Sequence, residues 1–285
     1  MTKIKPADRA LIEVAEAVAD ICDRRLGRAL RRHRDRIGLR GAHLRELALY
    51  AEPDERLRRH TPVCYGTWQD ESREEWGLVL ERLDGRVLMD ATEDPAVWRR
   101  ARVHAALDGL AQIQAVWSGR EAHLANRPWI GHVATSGSMV AMTPLWRALA
   151  SHAAPYLSEW TDASIVQRQR ALVESVGDWW PSLEASPRTL IHNDFSPRNV
   201  AIRDAGGLPR LCAYDWELAT LSGRRSATSR TFSVSCSTPP RPGTRSRSMS
   251  SGIARRWPKP PALPWTPAPG KRVSAPRWRI CSSTG

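Results

Sequence analysis

The spacing of apolar residues predicts a short strand-containing region that is followed by a longer helical region. Apolar positions recur every three or four residues over residues 7–32 and again over 44–49, which predicts helices there. Two apolar runs within residues 62–83 are separated by a polar turn at 69–75, and this pattern predicts a β-hairpin.

Helical spacing dominates residues 90–187. The pairs Asp94-Pro95 and Thr143-Pro144 are typical helix starts, because a side-chain oxygen can cap the first turn and proline fits the first helical position. A further helix is predicted from Ala163 onward. The chain is therefore predicted to be an α+β protein.

The next apolar strand signal leads directly into a dense polar loop. In this loop His192, Asp194 and Asn199 follow the pattern H-x-D-x-x-x-x-N. Two more strand signals follow within residues 200–214, separated by a Gly-Gly turn that predicts a hairpin. Folded in this way, the hairpin would bring Asp215 back beside the polar loop.

These residue types suit phosphoryl transfer. The reaction needs a carboxylate that orients and deprotonates the acceptor hydroxyl, and oxygen ligands for the magnesium ion that neutralises the phosphates. Asp194 is predicted to be the base, and Asn199 and Asp215 are predicted to bind Mg²⁺. One amide oxygen and one carboxylate are enough, since Mg²⁺ keeps several of its waters.

The segment resembles the catalytic segment of the aminoglycoside phosphotransferase and choline kinase family, whose loop reads roughly H-G-D-x-x-x-x-N and whose later strand ends in I-D-W-E. Here the second motif stands as Tyr214-Asp215-Trp216-Glu217, and Asn193 replaces the glycine. Asparagine tolerates a positive φ angle better than most residues. The resemblance implies a bilobed protein-kinase-like fold, ATP and Mg²⁺ as cofactors, a bracing role for His192, and support of Asp215 by Glu217.

The resemblance also implies how the chain is divided. A small, β-containing nucleotide lobe would span residues 1–85, and a mostly helical catalytic lobe, incomplete at its C-terminus, would span 86–220. A tail would follow over 221–285. Residues 24–42 are a degenerate part of the first lobe, because they are rich in arginine and show no phosphate-binding loop.

Nucleotide-binding residues are less clearly marked than the catalytic segment. The four lysines of the chain are Lys3, Lys5, Lys259 and Lys271. None is expected on the third strand of the nucleotide lobe, where members of the family carry one. Glu46 could be the carboxylate that pairs with such a lysine, or an ordinary surface glutamate. By analogy with the kinase hinge, backbone groups of Glu81 and Leu83 are expected to face the adenine.

The net charge of +13 has its origin in the tail. Thirteen of the 43 basic residues and none of the 30 acidic residues follow Glu217, so residues 1–217 are electrically balanced. In residues 221–285, Ser, Pro and Arg number 34 whereas Leu, Ile, Val and Phe number 7, which predicts little stable structure. The tail could be a natural disordered segment, an RNA-binding or localisation segment, or a translation out of frame. We favour the last, since Arg outnumbers Lys 39 to 4, as in GC-rich coding sequences.

Composition also limits the functional classes. No apolar run is long enough to span a bilayer, so no membrane partner is expected. Five scattered cysteines favour a reducing, cytoplasmic location. The predicted function is a small-molecule kinase that phosphorylates a hydroxyl of an aminoglycoside-, choline- or sugar-like acceptor. The alternatives are an inactive kinase-fold binding protein and, less favoured, a nucleic-acid binder that uses the basic tail.

Overall fold

The computed structural model describes residues 1–84, 95–157, 162–223 and 277–279. The helices are α1 Asp8–Cys22, α2 Arg24–His33, α3 Ala42–Tyr50, α4 Glu55–Arg58, α5 Arg100–Ala115, α6 Glu121–Ala125, α7 Ser136–Ala141, α8 Thr143–Leu157, α9 Ala163–Glu174 and α10 Val176–Glu184. The strands are β1 Thr2–Lys5, β2 Cys64–Asp70, β3 Glu75–Leu80, β4 Arg188–Ile191, β5 Val200–Ala205, β6 Leu208–Ala213, β7 Thr220–Gly223 and β8 Arg277–Arg279.

An antiparallel sheet of four strands contains the N-terminal strand. Its order is β1-β3-β2-β8, and the predicted hairpin is confirmed as β2 and β3. In β1 the alternation of side chains is unusual, because Lys5 is buried whereas Ile4 is exposed. The usual preference for apolar side chains on the buried face is reversed, because the lysines of β1 face acidic side chains.

The single helix predicted over residues 7–32 is two helices. Asp23 interrupts it with an extended conformation, and its carboxylate accepts hydrogen bonds from the backbone N–H groups of Arg25 and Leu26 at the start of α2. The apolar positions with helical spacing in α1 are not all buried. Val14, Val18 and Ile21 are exposed.

The segment between the strands is mainly helical, as predicted. Helices α8 and α9 begin where the sequence indicates. Helix α5 begins at Arg100 instead, because Pro95 starts a separate turn of 3-10 helix, and Asp94 lies outside the described residues. Ser175 separates α9 from α10, so the helix predicted from Ala163 is shorter than its apolar pattern suggested.

The main hydrophobic core lies between α5 and the strands that follow the helical region. Leu110 and Ile113 of α5 are buried in one cluster with Leu190, Leu211 and Trp216. Burial of apolar surface stabilises a fold by roughly 25 cal/mol per Å². This core therefore holds β4 and β6, and the turn after β6, in fixed positions relative to α5.

Two strand pairs frame the polar loop. Strand β4 pairs with β7, and β5 pairs with β6 so that Val200 lies opposite Ala213. The hairpin predicted over residues 200–214 is thus confirmed. Its turn contains Gly206 and Gly207 with φ angles of 67° and 84°, which glycine adopts without strain.

The boundary predicted at residue 220 falls inside β7, in which Leu221 pairs with Leu190. Residues 85–94, 158–161, 224–276 and 280–285 lie outside the described residues, and the boundary expected between residues 85 and 86 and most of the tail fall there. Across the part of the chain that the structure describes, no helix combines the length and the apolar character needed to cross a membrane.

Candidate active site

Strand β4 leads into a buried histidine at the start of the polar loop. His192 is fully buried, and its Nε2 lies 2.9 Å from the backbone oxygen of Tyr214. Its ring lies against Trp216 with 4.3 Å between the ring centroids. Burial lowers the pKa of His192, so the ring is neutral and Nε2 donates to the carbonyl. His192 therefore joins the loop to the end of β6.

Two of the predicted site residues are in direct contact. Asn199 Nδ2 lies 2.8 Å from Asp194 Oδ2 and 2.9 Å from the backbone oxygen of Asp194. Asn199 is buried whereas Asp194 is exposed. The amide thus orients the Asp194 carboxylate at the surface and keeps its own Oδ1 for another partner. Between His192 and Asp194, Asn193 has a φ angle of 63°, which confirms the positive φ expected there.

The β5–β6 hairpin brings Asp215 to this loop. The backbone N–H of Tyr214 donates to the backbone oxygen of Asn199 over 3.1 Å. Asp215 follows with φ and ψ angles of 66° and 58°, a left-handed conformation that ends the extended segment. The structure therefore brings together the loop residues and the second aspartate, as the sequence predicted.

Two lysines of β1 lie against the same segment. Lys3 Nζ lies 2.6 Å from Asp215 Oδ1 and 2.9 Å from Glu46 Oε2. Lys5 Nζ lies 2.7 Å from the same Glu46 oxygen and also pairs with Glu217. The third strand, β3, carries no lysine, as expected. The two lysines come instead from β1, which pairs with β3 in a long-range contact that the strand pattern around residues 62–83 did not indicate.

Glu46 of α3 is the centre of this charge cluster. Its side chain is 0% exposed, and its carboxylate contacts the ammonium groups of both Lys3 and Lys5. The backbone N–H of Trp216 also donates to it over 3.4 Å. A buried carboxylate needs such partners, because the loss of hydration is costly. Of the two interpretations given for Glu46, the structure shows a buried partner of lysine rather than a surface glutamate.

Arg45 is a positioning residue that the sequence analysis missed. Its Nη1 lies 2.6 Å from the backbone oxygen of Glu217 and 3.0 Å from that of Gly38, and its Nη2 lies 2.8 Å from that of Arg40. Arg45 is 1% exposed, and its guanidinium joins α3, the loop after α2 and the turn after β6. No local pattern distinguishes it from the many other arginines of this region.

Burial and ion pairing act in opposite directions on the Lys3–Asp215 pair. Burial by itself lowers the pKa of Lys3, but Glu46 and Asp215 together outweigh it and raise this pKa. Burial likewise favours a higher pKa for Asp215, but Lys3 and then Lys5 lower it. Both groups are therefore charged at neutral pH.

The acidic side chains of the site could hold a cation. Oxygen atoms of Glu46, Asp215 and Glu217 lie within 4.8 Å of one another. Glu46 is enclosed by two ammonium groups, so the oxygens open to solvent belong to Asp215 and Glu217, whose side chains are 35% and 34% exposed. Such hard oxygen donors fit Mg²⁺. The choice of Asn199 and Asp215 as its ligands stays a prediction.

Glu81 follows β3 and is bonded to the start of the β2–β3 hairpin. Its backbone N–H donates to the backbone oxygen of Val63 over 2.8 Å. Its carboxylate accepts bonds from Val63 N and from Arg203. The role of backbone groups of Glu81 and Leu83 in binding adenine stays a prediction. Leu83 is half-buried at the edge of the described segment.

Comparisons with known proteins identify a family for most of the chain. A model of the phosphotransferase enzyme family (APH) matches residues 13–223, which is more than half of the chain. The match includes Glu46, Asp194, Asn199 and Asp215 and begins after the two lysines of β1. No curated protein and no solved structure matches the chain significantly.

Proposed function

Because the chain belongs to the phosphotransferase enzyme family, we propose that it is an ATP-dependent kinase of a small molecule. It transfers the γ-phosphoryl group of ATP to a hydroxyl of an acceptor, for which the sequence left aminoglycoside-, choline- and sugar-like compounds open. The family implies a protein-kinase-like fold. We propose the bilobed form of it, in which the sheet and α3 bind the nucleotide.

One observation supports this proposal most. Lys3 contacts both Glu46 and Asp215, although Lys3 and Asp215 are 212 residues apart. A backbone hydrogen bond from Tyr214 to Asn199 joins this group to the pair of Asn199 and Asp194. Stability alone does not account for this arrangement, because burying charges costs hydration energy that ion pairing only partly offsets. Perturbed charged groups gather in this way at functional sites.

Asp194 is proposed as the base. The acceptor oxygen forms a bond to the γ-phosphorus while the bond from this phosphorus to the β–γ bridging oxygen breaks, so that ADP leaves. The proton of the acceptor hydroxyl passes to the Asp194 carboxylate. Because Asn199 Nδ2 holds this carboxylate at 2.8 Å, the hydroxyl meets a base that is already oriented.

The other polar residues act on the phosphates. Asn199 Oδ1 and Asp215 are proposed to hold Mg²⁺, which neutralises phosphate charge when bound with ATP. Lys3 would contact phosphate oxygens, since it is the more exposed of the two lysines at 27%. Glu46 fixes the position of Lys3. The buried Lys5 neutralises Glu46 and also pairs with Glu217.

The proposal is tested by the Asp194→Asn variant. We expect phosphoryl transfer from Mg-ATP to fall by about a thousandfold or more, whereas thermal stabilisation by Mg-ATP should persist, because Asp194 acts on the acceptor. Asp178→Asn, an exposed substitution on α10, is the matched control. Full transfer by the Asp194→Asn variant would refute the proposal.

The same measurements separate the alternatives. Stabilisation of the unaltered chain by Mg-ATP without transfer to any acceptor would indicate an inactive kinase-fold binding protein. Stabilisation follows mass action, so it reports nucleotide binding before the acceptor is known. Absence of both stabilisation and transfer would remove the kinase function altogether.

We also propose a reducing, cytoplasmic location. Cys22 and Cys212 are free thiols within the described residues, the first exposed and the second buried. Burial raises the pKa of Cys212 to about 11, so this cysteine behaves as a small apolar side chain rather than a nucleophile. Fractionation of cells that express a tagged chain tests the location directly.

A further inference from the structure

A cavity of about 250 Å³ lies beside the catalytic loop. Its walls come from α7, α8, α10 and the β4–β7 pair, and Ile191 and Asn193 reach it from either side of His192. We infer that this cavity binds the acceptor and that the acceptor is an uncharged hydroxylated compound with an apolar body. The inference rests on the proposed phosphotransferase function and narrows it to one of the acceptor classes left open.

The cavity lies where an acceptor needs to be. Asn193 lines it and directly precedes Asp194, whose carboxylate is exposed at the same loop. Asp194 does not itself line the cavity, so the inferred path from a bound hydroxyl to the proposed base runs past the Asn193 end. On the other side Leu218 lines the cavity directly after Glu217.

The walls are largely apolar and partly aromatic. The apolar side chains are Ile37, Met139, Met142, Trp146, Trp180 and Leu183. Met142 is buried, whereas Leu183 is 44% exposed toward solvent. A ligand that covers such walls gains roughly 25 cal/mol per Å² of apolar surface removed from water. The cavity thus favours a ligand with an apolar face rather than a fully hydrated ion.

Charged residues on the walls oppose a cationic acceptor. Arg36, Arg45 and Arg188 line the cavity against a single carboxylate, Glu184. Glu184 already accepts hydrogen bonds from the N–H and the hydroxyl of Ser136, and these bonds lower its pKa. An ammonium group would therefore meet three guanidinium groups and one engaged carboxylate. Choline and aminoglycosides fit this cavity poorly.

The same arginines offer little to an anionic acceptor. Arg45 donates to several backbone carbonyls, and Arg188 lies 3.5 Å from the carboxylate of Glu121. The exposed charge at the rim is Arg36. A carboxylate that pairs with Arg36 loses its hydration against the apolar walls, and this cost offsets the gain from the ion pair.

Two further residues of the walls add no positive charge. Burial, followed by the charge of Arg36, lowers the pKa of His132, so its ring is neutral. Trp146 contributes the apolar surface of its ring, because its Nε1 is buried out of contact with solvent.

Three probes of similar size separate cationic, uncharged and anionic acceptors. They are choline, its uncharged analogue 3,3-dimethylbutan-1-ol, and hydroxypivalate, which carries a carboxylate. Saturation-transfer NMR on the full chain measures the binding of each probe without need of turnover. We expect the uncharged alcohol to bind at least about tenfold more tightly than choline, because a unit charge is opposed by the neighbouring guanidinium groups. Hydroxypivalate should also bind more weakly than the alcohol.

Two variants locate the binding in the cavity. Trp180→Ala should weaken binding of the alcohol by about fivefold or more, since it removes an aromatic wall. Arg36→Glu should bring the affinities for choline and for the alcohol to within about threefold of each other. Arg73→Glu, in the polar segment between β2 and β3, makes the same charge change away from the cavity and should leave the preference unaltered. Arg36 is exposed, so its variant tests the inference even where Trp180→Ala unfolds.

Three outcomes would overturn the inference. They are binding of choline or hydroxypivalate as tight as or tighter than that of the alcohol, an alcohol affinity that Trp180→Ala does not change, and absence of binding by all three probes. Thermal stabilisation by Mg-ATP on the same samples separates this inference from the proposed function. If Mg-ATP stabilises the chain and choline is preferred, only the acceptor inference fails. If Mg-ATP has no effect and no phosphate is transferred, the proposed function fails as well.

Discussion

Lys3 Nζ lies 2.6 Å from Asp215 Oδ1, although 212 residues separate the two along the chain. The contact joins the first strand to the turn after β6, and Glu46 of α3 approaches the same ammonium at 2.9 Å. Three elements distant in sequence thus share one group of charges. Changes in this group should affect nucleotide binding and stability in separable ways.

Loss of the Lys3 ammonium is expected to weaken nucleotide binding more than stability. Lys3→Met should lower the affinity for Mg-ATP by about tenfold to a hundredfold, because a phosphate contact is removed while Lys5 still neutralises Glu46. Isothermal titration with Mg-ATP measures the change. Arg9→Met, which removes an exposed pair with Glu74, is the control. An affinity unchanged by Lys3→Met would contradict the role proposed for this lysine.

Loss of the Lys5 ammonium is expected to act mainly on stability. Lys5 and Glu46 are 4% and 0% exposed, so Lys5→Met leaves a buried carboxylate with one partner fewer. Breaking a buried pair in this way typically costs about 3 kcal/mol or more of the free energy of unfolding. Urea denaturation measures the change. A loss below about 1 kcal/mol would show that Lys3 alone neutralises Glu46.

The free energy of unfolding is expected to fall as the pH drops below 6.5. Five histidines have pKa values lowered by burial, namely His33, His43, His60, His132 and His192. Between the folded and unfolded pKa values the unfolded chain binds more protons, so the stability is fully present above pH 6.5 and is lost toward acid. Urea denaturation at several pH values measures the slope. His192→Gln should make the slope shallower, and an unchanged slope would show that His192 is protonated without cost in the folded protein.

A methyl group at Gly131 is expected to disturb Arg45. Gly131 has a φ angle of 69°, and an added Cβ would lie 2.4 Å from Arg45 Nη2 and 3.2 Å from the backbone oxygen of Arg40. Gly131→Ala should therefore cost about 1–3 kcal/mol of the free energy of unfolding, since strain and collision add. Gly137→Ala in α7 meets nothing within 4 Å and should be neutral or slightly stabilising. Equal effects of the two substitutions in urea denaturation would contradict this account of Arg45.

Two predictions for the first helical region were wrong for reasons that the apolar spacing does not show. Val14, Val18 and Ile21 have helical spacing, yet they are exposed, because the face that packs is decided by the neighbours of α1 rather than by its pattern. Asp23 ends α1 because its side chain caps α2, a competing hydrogen bond within the same run of helical residues.

The sequence by itself determined that Asp194, Asn199 and Asp215 come together. A strand, a loop and a hairpin follow one another within one short stretch, and the residues that form the turns are recognisable from the local sequence. Tertiary structure alone decided that Lys3, Lys5, Glu46 and Arg45 belong to the same region. Whether a charged side chain is buried and which partner neutralises it depends on elements far away in the chain. That is an outcome of packing and desolvation, and local residue spacing does not encode it.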